Sequence, residues 1–209
     1  IAGLEPTLSL IKISKKVLLA NKESIVCGWN LINKNSLKYK TKLVPIDSEH
    51  FSIAELTKNK TNKEIHKIYI TASGGPFLNL KKDKFKYIKP KDAIKHPKWK
   101  MGKKISVDSA TLMNKVLELN EAFKLFSFDR SKYEIIIHPQ SLVHAIVEFK
   151  NGTTYFLYHL PDMKIPIFNG LFDSGLDYSK YFKSKKKQKV SIQNLEFFPA
   201  NKTQFSSLK

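Results

Sequence analysis

The apolar positions of this chain change period several times, and each change marks a boundary between a helix and a strand. Leu4, Leu8 and Ile11 recur at helical spacing and predict a short helix over 5–13. The run Val17-Leu18-Leu19-Ala20 is continuously apolar and predicts a buried strand over 16–20, after which Asn21 or Ser24 can open a helix to about residue 32. A second apolar run predicts a strand over 43–46 that ends at Asp47-Ser48-Glu49-His50, with a helix over 50–56 behind it. Residues 67–71 read as a strand running into Ala72-Ser73-Gly74-Gly75-Pro76, a turn that needs permissive backbone. Over 81–104 the pattern loosens, and His96-Pro97-Lys98-Trp99-Lys100-Met101-Gly102 reads as a loop of the kind that serves as a lid.

Asp108 then reads as the cap of a helix to about residue 126, with Leu112, Val116, Leu119 and Phe123 as its core stripe. A strand over 133–138 follows, and then a hairpin of 143–149 with 154–159 about Asn151-Gly152, the favoured two-residue turn. From Pro161 the pattern is irregular, and the lysine-rich 180–189 reads as a linker. The alternation of strands and helices predicts an α/β layer structure.

Charge changes this picture less than its size suggests. A net charge of +19 on 209 residues ordinarily points to nucleic acid. Arg130, however, is the only arginine, and base-edge reading and tight phosphate forks favour arginine over lysine. The lysines are scattered among abundant Asn, Ile and Phe, a pattern of A/T-rich codon drift. No nucleic-acid partner is expected. No apolar run reaches membrane-spanning length, so no membrane partner is expected, and the lone Cys27 excludes an internal disulfide and points to a reducing compartment. The chain opens on Ile1 in the middle of an apparent element and closes without a stop signal, which reads as a segment of a longer protein.

The candidate chemistry centres on 108–118. On one helix, Asn114 and Glu118 are spaced i, i+4 and Lys115 and Glu118 i, i+3, which places them on a shared face. The hydroxyl of Ser109, an amide and an ammonium near a helix N-terminus suit a phosphate, and the carboxylate one turn on suits a hard metal ion. Asp47 and Glu49 project to one side if their segment is extended, and with Glu118 they offer three oxygen ligands and no thiolate, which favours Mg²⁺ or Mn²⁺. The same two residues also read as solvated turn carboxylates. Ser73-Gly74-Gly75 can cradle an anion or be only a turn, and His96 can bond a phosphate or be an idle loop histidine. Trp99 can cover a ligand or pin its loop, and Lys22 follows a strand where α/β folds place ligand-binding groups. His138 and His144 read as packed strand residues. No dinucleotide-binding or phosphate-binding glycine motif occurs among the eight glycines.

Seven stretches together resemble the 1-deoxy-D-xylulose 5-phosphate reductoisomerase family: Leu19-Ala20-Asn21-Lys22-Glu23-Ser24, Pro45-Ile46-Asp47-Ser48-Glu49-His50, Ser73-Gly74-Gly75-Pro76-Phe77, His96 to Gly102, Lys104 to Thr111 with Met113-Asn114-Lys115, Ile137-His138-Pro139-Gln140-Ser141, and Pro161-Asp162-Met163. They occur in the family's order over roughly residues 1 to 168.

The resemblance implies a cytoplasmic bacterial enzyme, or a plastid-like organellar one. Such an enzyme uses NADPH and Mg²⁺ or Mn²⁺ to rearrange and reduce a ketose phosphate, and works as a homodimer. It implies Asp47, Glu49 and Glu118 as metal ligands, and Lys22, Glu49 and Glu118 as the catalytic groups. The substrate would be held by Lys22, Ser48, Ser73, His96, Trp99, Ser109, Asn114, Lys115 and Glu118, with Trp99 and Met101 on a closing flap. Asn21, Glu23 and Gly102 would touch NADPH. The implied architecture is the tail of a Rossmann-like nucleotide-binding domain over 1–46 and an α/β catalytic domain with a mixed sheet over 47–172. A linker over 173–209 would lead toward a helical C-terminal domain. Val116 stands where the family usually has glycine, and 164–173 lacks the family's tryptophan-proline. An inactive remnant of such an enzyme is the alternative.

Overall fold

The structure is a computed structural model that describes residues 2–94, 102–172, 176–182, 195–201 and 205–208. The first layer grows from a parallel strand–helix–strand unit. Helix α1 (Leu4–Ile13) buries Thr7 and Ile11 and leads into β1 (Lys16–Leu19), whose Val17 and Leu19 point inward. Asn21 caps α2 (Lys22–Tyr39) by accepting a hydrogen bond from the Ser24 N–H at 2.9 Å. The helix kinks at Gly28, where the Leu4 side chain occupies the space a Cβ would need, and closes on Lys40 in the left-handed region. It extends well past residue 32 because Asn33, Lys34, Asn35 and Lys38 tolerate a helix without continuing its apolar stripe. β2 (Lys42–Pro45) then pairs in parallel with β1, Lys16 opposite Lys42 and Leu19 opposite Pro45.

Asp47 is the N-cap of α3 (Ser48–Leu56), so Asp47-Ser48-Glu49 is a helix start and not the extended segment that alternation predicts. β3 (Ile65–Ala72) is the centre of a five-stranded sheet. α4 (Pro90–Ala93) lies in the lysine-rich stretch beyond it. The single helix expected over 108–126 is two: α5 (Lys103–Ala110) and α6 (Met113–Leu125). The chain breaks at Leu112, which is buried at φ 59°, a region costly for a residue with a branched side chain. Asp108 therefore lies inside α5 and pairs with Lys104 at 2.7 Å instead of capping a helix.

The sheet is completed by β4 (Tyr133–Ile137), parallel to β3, and by β5 (Val143–Phe149), antiparallel on its other side, with β6 (Thr154–Tyr158) outside β5. It is therefore mixed, as the α/β reading requires. The β5–β6 turn is longer than two residues. Gly152 alone takes positive φ, its N–H bonds to the Phe149 carbonyl, and the Phe149 N–H bonds to Thr153 O. The stretch from Pro161 is not irregular throughout, because α7 (Lys164–Leu171) and the single turn α8 (Tyr178–Tyr181) form there. β7 (Phe198–Pro199) adds a short edge to β4, and Phe205 is buried against Ala72, Leu112 and Ile137. Part of the stretch read as linker thus carries a strand and a buried aromatic. Ile53, Ile65, Ile68, Ile70, Ala122, Ala145 and Val147 form the main core, each fully buried. Among the described residues no helix is long and apolar enough to cross a membrane.

Candidate active site

The carboxyl ends of the parallel pair β1 and β2, and of β3 in the other sheet, meet at one cavity of about 350 Å³, the place where α/β sheets bind ligands. Lys22 reaches it from just beyond β1, Asp47 and Glu49 from just beyond β2, and Thr71 and Ser73 from the end of β3. Asn114 and Glu118 enter from the first turns of α6, and Ser109 from the last turn of α5.

Two lysines and three carboxylates interlock on one wall. The Lys22 ammonium lies 2.8 Å from Asp47 Oδ2 and 2.9 Å from Glu118 Oε1, and donates to Asn114 Oδ1 at 3.0 Å. The Lys115 ammonium bridges Glu49 Oε1 and Glu118 Oε2, Asn114 Nδ2 donates to Glu118 Oε1, and Ser48 Oγ donates to Glu49 Oε2. Burial alone would lower the pKa of both lysines. The carboxylates outweigh it, with Asp47 and Glu118 holding Lys22, and Glu118 and Glu49 holding Lys115, above the ordinary value. Asp47 is pushed the other way: burial would raise it, but Lys22 holds it well below the usual carboxylate range. Glu49 is pushed up to about 8, first by burial and then by the Glu118 charge.

Asp47, Glu49 and Glu118 can bring one oxygen each within 4.8 Å of one another. Three hard oxygen donors without a thiolate or imidazole fit Mg²⁺ or Mn²⁺ better than zinc. Beside them the cavity has a hydroxyl-rich side. Gly74 and Gly75 sit at φ 85° and 67°, and a Cβ on Gly75 would come within 2.7 Å of the Ser109 carbonyl oxygen. Only glycine lets the β3 loop approach the end of α5 this closely, so the turn sets Ser73 beside Ser109. The break at Leu112 then re-aims α6 so that Asn114 faces the same space.

The structure thus gathers Lys22, Asp47, Ser48, Glu49, Ser73, Ser109, Asn114 and Glu118 around one cavity. Lys115 is packed into the carboxylate cluster and is not on the lining. Asn21, Glu23 and Gly102 lie elsewhere: Asn21 caps α2, Glu23 pairs with Lys104 at 2.6 Å, and Gly102 caps α5. His96, Trp99 and Met101 lie outside the described residues.

Besides Thr71, sequence reading missed four polar groups. Ser141, at φ 54°, and His144 line the cavity although the strand pattern reads His144 as packing. His144 stacks on His159 at 4.0 Å, and burial, with His159 and Lys115 beside it, keeps its pKa well below the ordinary value. His50 and Glu121 lie behind Asp47, and with it form a second group whose ligand atoms lie within 4.8 Å. The spacing of His50 from Asp47 and of Glu121 from Glu118, three residues in each case, could have shown them.

Comparisons with known proteins agree with the family resemblance of the sequence. The family model for the C-terminal domain of 1-deoxy-D-xylulose 5-phosphate reductoisomerase matches residues 43–126, and the model for 1-deoxy-D-xylulose 5-phosphate reductoisomerase matches residues 1–28. A relative of that name from Pelagibacter ubique is 51% identical over 207 residues, covering 99% of this chain and 53% of the relative. One from Sulfurihydrogenibium is 43% identical, covering 100% and 54%. A crystal structure of DOX-P reductoisomerase in complex with NADPH, fosmidomycin and magnesium superposes with a TM-score of 0.83 at 36% identity, covering 99% of this chain and 52% of that one. The Zymomonas mobilis enzyme in complex with NADPH gives 0.81 at 36% identity, covering 99% and 52%. The chain spans about half the length of the curated relatives it matches.

Proposed function

The chain belongs to the 1-deoxy-D-xylulose 5-phosphate reductoisomerase family. On that premise we propose that it supplies the substrate- and metal-binding part of an enzyme that rearranges and reduces 1-deoxy-D-xylulose 5-phosphate to 2-C-methyl-D-erythritol 4-phosphate with NADPH. The observation that carries the proposal is the convergence of Asp47, Glu49 and Glu118 beside a hydroxyl-lined cavity. In this reading 1–46 closes the nucleotide-binding domain, 47–172 is the catalytic domain, and 173–209 leads onward. A cytoplasmic homodimer is part of the same proposal.

Asp47, Glu49 and Glu118 would hold one Mg²⁺ or Mn²⁺, which supplies Lewis-acid polarisation of the substrate's carbonyl and hydroxyl oxygens. Lys22, already charged and aimed across the cluster, would donate to a substrate oxygen and offset negative charge that develops there. Ser48 would orient the same end of the substrate. Ser73, Ser109 and Asn114 would grip the phosphate. Lys115 now neutralises Glu49 and Glu118. With that charge taken up elsewhere, its ammonium would be free to turn toward the phosphate. His96 would stand close to the phosphate, Trp99 and Met101 would close over the substrate, and Asn21, Glu23 and Gly102 would meet NADPH.

The test is NADPH oxidation by the full-length polypeptide that contains this chain. Turnover should need both the ketose phosphate and Mg²⁺ or Mn²⁺, and Asp47→Ala should abolish it. Metal-independent oxidation, or none with every component present, would refute the proposal.

A further inference from the structure

The connection from β4 to β5 passes over the carboxyl end of β3, because β3 lies between those two strands in the sheet. The His138 N–H donates to the Ala72 carbonyl at 2.7 Å on one side of the crossing, and Thr71 Oγ1 donates to the Val143 carbonyl at 2.6 Å on the other. His138 braces the turn between them. Its Nε2 accepts the Leu142 N–H at 3.2 Å, so its Nδ1–H donates to the Glu196 carbonyl at 2.8 Å. Its own carbonyl accepts the Ser141 N–H at 3.1 Å, and Phe197 stacks on the ring at 4.5 Å.

This bracing holds Ser141 at φ 54°, in the left-handed region that a residue with a side chain occupies only at a cost. The side chain receives nothing from the fold in exchange. Ser141 lines the cavity and is 7% exposed, and its hydroxyl has no hydrogen-bond partner among the described residues. A buried, unpaired hydroxyl is a second cost at the same position. Two costs on one residue at the edge of a ligand cavity point to a partner that arrives with the ligand.

We infer that Ser141 is a substrate-binding residue that hydrogen-bonds the C4 hydroxyl of the ketose phosphate, its Oγ reaching the cavity by a turn about χ1. The inference rests on the reading of this cavity as the site for 1-deoxy-D-xylulose 5-phosphate. That reading leaves one polar group of the substrate without a place. The C2 ketone and C3 hydroxyl are adjacent oxygens and go to the carboxylates, and the phosphate on C5 goes to Ser73, Ser109 and Asn114. The C4 hydroxyl lies between them, beside the carbon that bears the phosphate. Ser141 stands over the end of β3, the strand that also delivers Ser73 to the phosphate side. Two other hydroxyls of the lining are already committed, Thr71 to the Val143 carbonyl and Ser48 to Glu49.

The experiment uses the full-length polypeptide containing this chain, with Mg²⁺ and without NADPH, and measures Kd for the ketose phosphate and for its analogue lacking the C4 hydroxyl. In the wild type, loss of the C4 hydroxyl should weaken binding about tenfold. Ser141→Ala should weaken binding of the ketose phosphate by about the same factor, and should bind the analogue no more weakly than the wild type does. Thermal melting without ligand separates this from a structural role. Ser141→Ala should melt no lower than the wild type, because it removes an unpaired hydroxyl. Ser141→Gly should melt higher than Ser141→Ala, because glycine takes φ 54° without strain, and should show the same loss of affinity.

An unchanged Kd for the ketose phosphate in both variants would overturn the inference. So would losses that multiply when the analogue meets Ser141→Ala, since the hydroxyl would then contact something other than C4. Affinity that follows melting temperature across the two variants would make Ser141 a turn residue only. If the wild type binds no ketose phosphate, the functional reading fails and this assignment with it, whereas wild-type binding indifferent to Ser141 overturns the assignment alone.

Discussion

Along α6, Leu119, Ala122 and Phe123 turn toward the sheet, whereas Lys115, Glu118 and Glu121 turn toward α3 and the cavity. Ala122 and Glu121 are both fully buried, and they are adjacent in the chain. On the sheet side, burial removes apolar surface from water and stabilises the fold, at about 1.5–3 kcal/mol for a large aliphatic side chain. On the cavity side, burial takes charges out of water, and ion pairs offset that cost only in part. One face of the helix holds the protein together. The other is an arrangement that the fold tolerates because the core beneath it is stable, and its charges are set where a ligand can use them.

The comparison can be broken by perturbing each face separately. Glu118→Ala removes a candidate metal ligand and should lower turnover of the full-length protein on the order of 10³-fold, the equivalent of several kcal/mol of lost polarisation. A fall of less than tenfold would move the metal elsewhere. Ile68→Ala should cost about 2–5 kcal/mol in urea unfolding and leave Mn²⁺ affinity unchanged, because Ile68 touches only the core. Loss of affinity there would show that the two faces are coupled. Added Mg²⁺ should stabilise the wild type by about 2.7 kcal/mol at a hundredfold excess over its Kd, and should not stabilise Glu118→Ala.

The pH response sharpens the same contrast. The folded-state pKa of Glu49, about 8, lies above its ordinary 4.5, so the metal-free fold binds an extra proton between those values and loses stability as pH rises through that window. Metal binding must displace that proton, so Mn²⁺ affinity should climb about tenfold per pH unit up to pH 8 and level off above it. A flat profile would mean that Glu49 is already ionised. The smallest effect is expected at Val116, which lines a separate groove with Leu119 and Phe198. Val116→Gly should lower stability by about 1 kcal/mol and leave Mn²⁺ affinity unchanged.

The apolar pattern made the strands legible, because their side-chain period of two and their continuous runs leave a clear signature, as at 16–20 and 143–149. Helix ends and breaks were harder to read. The helix from Lys22 outlasts its stripe because polar residues carry its last turns. The apolar 108–126 pattern hides a break, since Leu112 takes its left-handed conformation under tertiary packing that no local residue announces. The cavity residues were found mainly because the seven stretches resemble one family. Spacing alone supplied the shared face of Asn114, Lys115 and Glu118, and assigned Asp47 and Glu49 to a strand geometry that is in fact a helix start. Lys115 was read as a phosphate ligand, yet it lies among the carboxylates, because nothing in a sequence says which of several opposite charges an ammonium will satisfy.

The central claim, that three carboxylates from two helix starts hold one divalent ion, is tested most directly by anomalous diffraction from Mn²⁺-soaked crystals of the full-length protein. The account predicts a single peak about 2.0–2.3 Å from oxygens of Asp47, Glu49 and Glu118, with Lys115 displaced from the cluster. A peak elsewhere, or none with Lys115 still bridging Glu49 and Glu118, would contradict it.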